Sequence, residues 1–212
     1  MLLHPGPGKL IVLEGLDGAG TTTQARLLGE WLRAQAFVPT VHVTWEPTDG
    51  LVGLLIRRIL THQEVAQPRT LAALFVADRL EHLYRPQGVA AQLQAGAWVV
   101  MDRYYLSSLA YQSLSLTPNE VGWLYEMHAP CLRPDVTFFL DAPVAECLAR
   151  IRRRRAEQFD LFEKEELLTA VLDKYHAAIR RLRAQGETIH VVDGGQEILQ
   201  VTQSLQEFLN TP

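Results

Sequence analysis

The sequence predicts an α/β fold in which five parallel strands form one sheet with helices on both faces. Five short runs are apolar almost throughout, as expected of strands buried on both sides. Longer segments with helical apolar spacing alternate with them, the pattern that builds a parallel sheet. A glycine-rich stretch joins the first run to the first helix. Ligands of such sheets bind beyond the carboxyl ends of the strands.

"KLIVLE" (9–14) reads as the first strand and "TTTQARLLGEWLRAQ" (21–35) as the helix after it. "PTVHVTW" (39–45) is the second strand. Residues 50–62 and 70–96 read as helices, the latter open to interruption at Pro86. "AWVVMD" (97–102) is the third strand, and "LSSLAYQS" (106–113) is helical. "TPNEVGWLYEMHAP" (117–130) starts with Thr117, Pro118 and Glu120, a capping box with proline at the first helical position. "DVTFFLD" (135–141) is the fourth strand and "TIHVVD" (188–193) the fifth. Residues 143–155 and 164–186 carry helical spacing, the second stopped by Gly186. The pattern leaves the strand order open.

The 212 residues suffice for one well-cored domain, and no repeat or low-complexity linker divides residues 1–212. With 48% hydrophobic and 21% charged residues the composition is that of a soluble globular protein. A formal charge of −4 argues against a general nucleic-acid binder. Cys131 and Cys147 form no CxxC or metal-ligand spacing, so a reduced, cytoplasmic compartment is expected. "MLLHPGPGKL" lacks the basic and apolar regions of a secretory signal, and no run approaches the ~20 apolar residues of a spanning helix. The histidines show no HExxH spacing and no G-x-S-x-G elbow is present, so metal-hydrolase and serine-hydrolase readings lack support.

"GLDGAGTTTQ" (15–24) has the frame of a phosphate-binding loop, G-x-x-x-x-G-K-[ST], with Thr21 where lysine is expected. Gly15, Gly18 and Gly20 permit close backbone approach. Amides from Ala19 to Thr23, at a helix start near Thr21, can surround a phosphate. Thr22 holds the position whose hydroxyl ligates Mg²⁺. The loop alone is equally a glycine-rich turn without a ligand.

Asp102 ends a buried strand, where a carboxylate can bind Mg²⁺, and Arg103 beside it can clamp a phosphoryl group. A structural Asp–Arg ion pair is the plainer alternative. Phe75 and Arg79, four apart in "LFVADR", share one helix face. They can stack a base and hold a phosphate, or be a core phenylalanine beside a surface arginine, the commoner arrangement. In "ARIRRRRAEQFDLFE", Arg150, Arg153 and Arg154 cluster, whereas Arg152 and Arg155 point elsewhere. Such a run is a solvated surface, a nucleic-acid patch, or a helix end that closes over a triphosphate.

Together, "LEGLDGAGTTTQ", "EP" at 46–47, "LFVADR", "DRYYLSSLAYQ", "RPDVTFFLD" and "DLFE" at 160–163 resemble the thymidylate kinases over nearly the whole chain, from Lys9 to Asp193. The resemblance implies a P-loop NTPase-type three-layer sandwich that phosphorylates dTMP to dTDP with Mg²⁺ and ATP, as a homodimer and without membrane attachment. It implies that Asp17 receives the 3′-hydroxyl and Phe75 stacks on thymine, while Arg79 and Arg103 hold the acceptor phosphate. Ser107, Ser108, Tyr111 and Gln112 would line the nucleoside pocket. The lid would be about 150–164, with Arg150 on the donor phosphates and Arg153 or Arg154 supplying the cation that this P-loop lacks. Contacts to the donor base are expected after Asp193.

The chain departs from the family at Thr21, in place of the P-loop lysine, and at Trp45, in place of the arginine of "REPG". Both lost groups are cations aimed at phosphate. Losing one preorganised donor costs about 3–4 kcal/mol, so an impaired or repurposed nucleotide binder and a kinase for another nucleoside monophosphate stand as alternatives.

Overall fold

The structure, a computed structural model, describes residues 1–4, 6–154 and 165–210, without the side chain of Arg154. Five parallel strands run in the order β2-β3-β1-β4-β5: β1 (Lys9–Gly15), β2 (Val41–Trp45), β3 (Trp98–Asp102), β4 (Val136–Asp141) and β5 (Ile189–Asp193). Every position of β1 after Lys9 is buried, and side chains alternate between the faces of a strand. Both faces of the sheet are therefore covered.

The register brings the strand ends to one edge. Leu13 and Trp45 each pair with Asp102, Gly15 pairs with Leu140, and Asp141 pairs with Asp193. The loops that leave this edge build the site.

Helix α1 (Thr21–Arg33) buries Ala25, Leu28 and Leu32 against the sheet, a stripe spaced three and four apart. After β2 come α2 (Leu51–Leu60) and α3 (Pro68–Tyr84), then α4 (Val89–Gln94). The helix expected over 70–96 is thus two helices. Arg85 is extended, with ψ 158°, as the residue before a proline prefers, and Gln87 is left-handed. Beyond β3, α5 (Tyr105–Tyr111) tightens into a 3₁₀ turn over Gln112–Ser115. Helix α6 (Pro118–Met127) opens with the expected capping box, the Thr117 N–H donating to Glu120 at 2.8 Å.

Helices α7 (Val144–Arg154) and α8 (Glu165–Ala184) flank the expected lid, whose residues 155–164, with Arg155 and "DLFE", lie outside the described residues. Helix α9 (Ile198–Asn210) fills a stretch the sequence reading left unassigned; Val201 and Leu205 are its buried anchors. Phe138 and Phe139, neighbours on β4, point to opposite faces. Phe138 meets Phe208 of α9 at 5.2 Å between ring centroids, and Phe139 meets Tyr175 of α8 at 4.9 Å. Helices α8 and α9 therefore lie on opposite sides of the sheet. Helix α1 packs beside α9 and α5 beside α8, giving the three layers.

Candidate active site

The glycine loop turns through two left-handed residues, Gly18 at φ +87° and Gly20 at φ +99°. A methyl group on Gly18 would come within 2.5 Å of the Cys147 carbonyl oxygen, so the loop lies directly on the backbone of α7. At Gly20 the space is open, and only its backbone conformation calls for glycine. Thr21 begins α1 and is buried, with 5% of its surface exposed. Thr22 donates its hydroxyl to Oδ2 of Asp102 at 2.5 Å, which ties the loop to the end of β3.

Two cavities open on either side of this loop. One, of about 650 Å³, is lined by Gly18, Ala19, Gly20, Thr23, Arg150 and Arg153, and by the turn from Gly194 to Ile198. It joins the loop to the segment after Asp193. Arg150 is held here by the carbonyls of Gly194 at 3.0 Å and Ala19 at 3.4 Å, and by Glu146 at 3.1 Å. Arg153 is exposed and donates weakly to the Ala149 carbonyl, 3.4 Å away on its own helix.

The other cavity, of about 600 Å³, brings together Asp17, Thr22, Phe75, Arg79, Asp102, Arg103, Ser107, Ser108, Tyr111 and Gln112. Ten expected side chains from four parts of the chain thus share one wall, and Gly15 and Thr21 line neither cavity. Arg103 adopts φ +69° and reaches back across the loop. It forms an ion pair with Asp17 and donates to the Gly15 carbonyl at 3.0 Å and to Ser107 Oγ at 3.2 Å. The simple Asp102–Arg103 ion pair is not what the structure has: Asp102 partners Thr22, and Arg103 partners Asp17. Burial opposes the charge on Arg103, but Asp17 and the surrounding groups outweigh it and hold the guanidinium well above its ordinary pKa.

Phe75 and Arg79 reverse the commoner arrangement for their spacing. Phe75 is half-buried at the cavity, whereas Arg79 is 1% exposed beneath it. Arg79 Nε donates to Glu46 at 2.7 Å, and Nη1 donates to Ser108 Oγ at 3.2 Å and to His128 Nε2 at 2.7 Å. His128 accepts that bond because it is neutral: burial, then the charge of Arg79, pushes its pKa down to about 3. Its Nδ1 donates to the Leu124 carbonyl. Glu46 also accepts from His82 Nδ1 at 3.2 Å, and Asp78 receives both the amide and the hydroxyl of Thr48. The cavity floor is a network of charges satisfied from within.

Three residues that line this cavity, Asp102, Tyr104 and Gln112, each carry a side-chain oxygen that is shielded from solvent and has no hydrogen-bond partner among the described residues. Buried polar atoms are nearly always paired, so the polar network under this wall is incomplete. The Asp102 carboxylate and the Thr22 hydroxyl are hard oxygen donors that suit Mg²⁺.

Sequence reasoning missed Arg57, Tyr104 and Leu60 on this wall. Arg57, from α2, is fixed by the carbonyls of Pro47 and Thr48 and by Asp49 at 3.2 Å, beside the half-exposed ring of Trp45. No spacing in "LLIRRIL" distinguishes it from its surface neighbour Arg58.

The chain matches the family model described as thymidylate kinase over residues 13–205. It is 42% identical over 152 residues to a probable thymidylate kinase of Pyrococcus horikoshii, covering 69% of this chain and 71% of that one. It is 36% identical over 207 residues to a thymidylate kinase of Thiobacillus denitrificans, covering 96% and 97%. Among solved structures, the thymidylate kinase of Candida albicans superposes with a TM-score of 0.79 at 26% identity, over 96% of this chain and 92% of that one.

Proposed function

The chain belongs to the thymidylate kinase family, and from that premise we propose that it transfers the terminal phosphoryl group of ATP to dTMP. The observation that carries the acceptor assignment is the cavity that gathers Asp17, Phe75, Arg103 and Gln112 around one space. The amide side chain of Gln112 is the group there suited to the polar edge of thymine. Phe75 offers a face for the base. Asp17 receives the 3′-hydroxyl while its Oδ1 keeps Arg103 aimed across the loop. The acceptor is already a phosphate oxygen, so the transfer asks for positioning and charge rather than a general base.

Arg103 lines the acceptor cavity beside the loop and holds the acceptor phosphate, next to the group in transfer. Arg79 fixes Ser108 and the cavity floor. Arg57, which lines the same cavity as Trp45, assists Arg103 there in place of the missing family arginine. The 650 Å³ cavity receives ATP, with the turn Gly194–Ile198 against the base. Thr22 and Asp102 hold Mg²⁺, which when bound neutralises phosphate charge. Thr21 faces inward and supplies only its amide. The cation in place of lysine comes from the lid: Arg150 is engaged by Gly194 and Glu146, which favours Arg153 or Arg154.

A homodimer and a cytoplasmic location belong to the same reading. Leu51, Leu54 and Leu55 lie exposed on α2, a surface suited to a second copy. No helix among the described residues is long and apolar enough to cross a membrane.

Purified protein with Mg²⁺, ATP and a panel of nucleoside monophosphates tests the function; dTMP is the preferred acceptor, and no dTDP above background at high enzyme concentration overturns it. A second reading, nucleotide binding without turnover, is favoured by Thr21 and Trp45. It requires nucleotide-induced thermal stabilisation with no product, and a large gain from near-zero activity in the double variant Thr21→Lys, Trp45→Arg.

A further inference from the structure

Glu14 is a fully buried acid inside an apolar strand, and the transfer described above gives it no task. Its Oε1 accepts the amides of Tyr104 at 2.9 Å and Ser107 at 3.1 Å. Its Oε2 accepts the Ser107 hydroxyl at 2.5 Å and lies 3.3 Å from the Tyr175 hydroxyl. The same two hydroxyls accept from Arg103 Nη1, at 3.2 and 3.4 Å. Carboxylate and guanidinium are therefore one hydroxyl apart, with the glycine loop on one side and the acceptor cavity on the other.

Two proton arrangements satisfy this cluster. With Glu14 ionised, Ser107 donates to Oε2, Tyr175 donates to Ser107 across 2.8 Å, and the Gly15 carbonyl accepts from Arg103. With Glu14 protonated, Oε2–H donates to Ser107 Oγ, Ser107 donates to Tyr175, and Tyr175 donates to the Gly15 carbonyl at 3.0 Å. The hydroxyls of Ser107 and Tyr175 turn, no heavy atom moves, and one proton comes from solvent.

The charge facing Glu14 decides between them. Arg103 is its nearest cation, and Arg79 is a weaker one. Tyr104, Tyr105 and Tyr175 stay protonated, since burial raises all three, and so they add no charge. Asp17 and Asp102 compete for Arg103 from its other side. We propose that Glu14 is a proton-linked positioning residue: it tempers Arg103 in the empty site and takes up a proton when an acceptor phosphate binds that arginine. A phosphate spends the field of Arg103 elsewhere, and a dry carboxylate left without its cation keeps a proton. The proposal rests on the assignment of Arg103 to the acceptor phosphate.

Burial lifts Glu14 to about 7, so at that pH the empty site holds roughly half a proton there. Calorimetric titration of dTMP in buffers of different ionisation heat counts the protons taken up. Glu14→Gln mimics the protonated arrangement, its amide donating to Ser107. Wild type takes up roughly half a proton more than this variant at pH 7, and the difference vanishes at pH 5. The acceptor KM of the variant loses its pH dependence around 7, while kcat changes less. Equal proton counts in the two proteins overturn the proposal. If the variant does not fold, carbon NMR of the wild-type Glu14 carboxyl replaces it, and a titration midpoint unmoved by dTMP is the overturning result. Absence of dTMP binding overturns the acceptor assignment instead. Pyrophosphate then serves as the probe, and no binding, or binding without Glu14-dependent uptake, overturns the proposal itself.

Discussion

Gly18 and Gly20 share a left-handed backbone but not their surroundings, and alanine at each separates two kinds of cost. A non-glycine residue in that conformation loses about 1–2 kcal/mol, offset by about 0.4–1 kcal/mol because alanine restricts the unfolded chain. For Gly20→Ala, where a methyl meets nothing within 4 Å, that is the whole effect. For Gly18→Ala the methyl would sit 2.5 Å from the Cys147 oxygen and 3.0 Å from its Cα and carbonyl carbon. Backbone must move, which adds about 1–3 kcal/mol of overpacking. At roughly 2–4 °C per kcal/mol for a chain of this size, Gly20→Ala lowers Tm by about 6 °C at most, and Gly18→Ala by about 2–12 °C more than its partner. The displaced backbone is that of α7, which carries Arg150 and Arg153. Gly18→Ala therefore also lowers kcat, whereas Gly20→Ala acts mainly on nucleotide affinity. Thermal unfolding of the two apo proteins, followed by steady-state kinetics, measures both. Equal Tm losses, or a larger loss at Gly20, would refute the reasoning that α7 supports the loop.

Thr21→Lys places a cation at the start of α1, in the glycine loop. If lid arginines already supply that charge, kcat rises by less than about tenfold, while a gain of several hundredfold, about 3–4 kcal/mol, refutes compensation by the lid. The stability profile carries a second test. His128 has an unfolded pKa of 6.5 and a folded one of about 3, so its contribution is present above 6.5 and lost as pH falls toward 3. Glu14 has an unfolded pKa of 4.5 and a folded one of about 7, so its contribution is present below 4.5 and lost as pH rises through 7. Between pH 4.5 and 6.5 the two slopes cancel. Glu14→Gln removes one of them, so urea unfolding shows the variant gaining about 2 kcal/mol from pH 4.5 to 6.5, with wild type nearly level; a level variant refutes the assignments.

The central strands were legible because a strand buried on both faces is apolar almost throughout, as in "LIVL" and "TFFL". Their order was not, since it depends on which edges meet rather than on any one run. Pro86 marked a break that only the extended Arg85 shows to end a helix. Helix α9 escaped notice although Ile198, Val201, Leu205 and Phe208 keep helical spacing, because polar residues crowd the intervening positions. At the site, linear motifs brought Thr22, Asp102, Arg103 and Gln112 into view. Phe75 and Arg79 shared a face as their spacing required, but which of them was buried depended on Glu46 and His128, distant in sequence. Arg57 was illegible because its placement on the cavity comes from the Pro47 and Thr48 carbonyls, distant from it in sequence.

The buried charges under the acceptor cavity bear on how such a site changes over time. Arg79 is held at once by the loop after β2, by α5 and by the end of α6, so altering one partner strands the others. Variation at the floor must come as several coordinated steps. Trp45 stands on the half-exposed rim, where one step suffices. Replacing Arg79 breaks three contacts and replacing Trp45 breaks few, so substitutions that reshape this cavity are tolerated at the rim before they are tolerated at the floor.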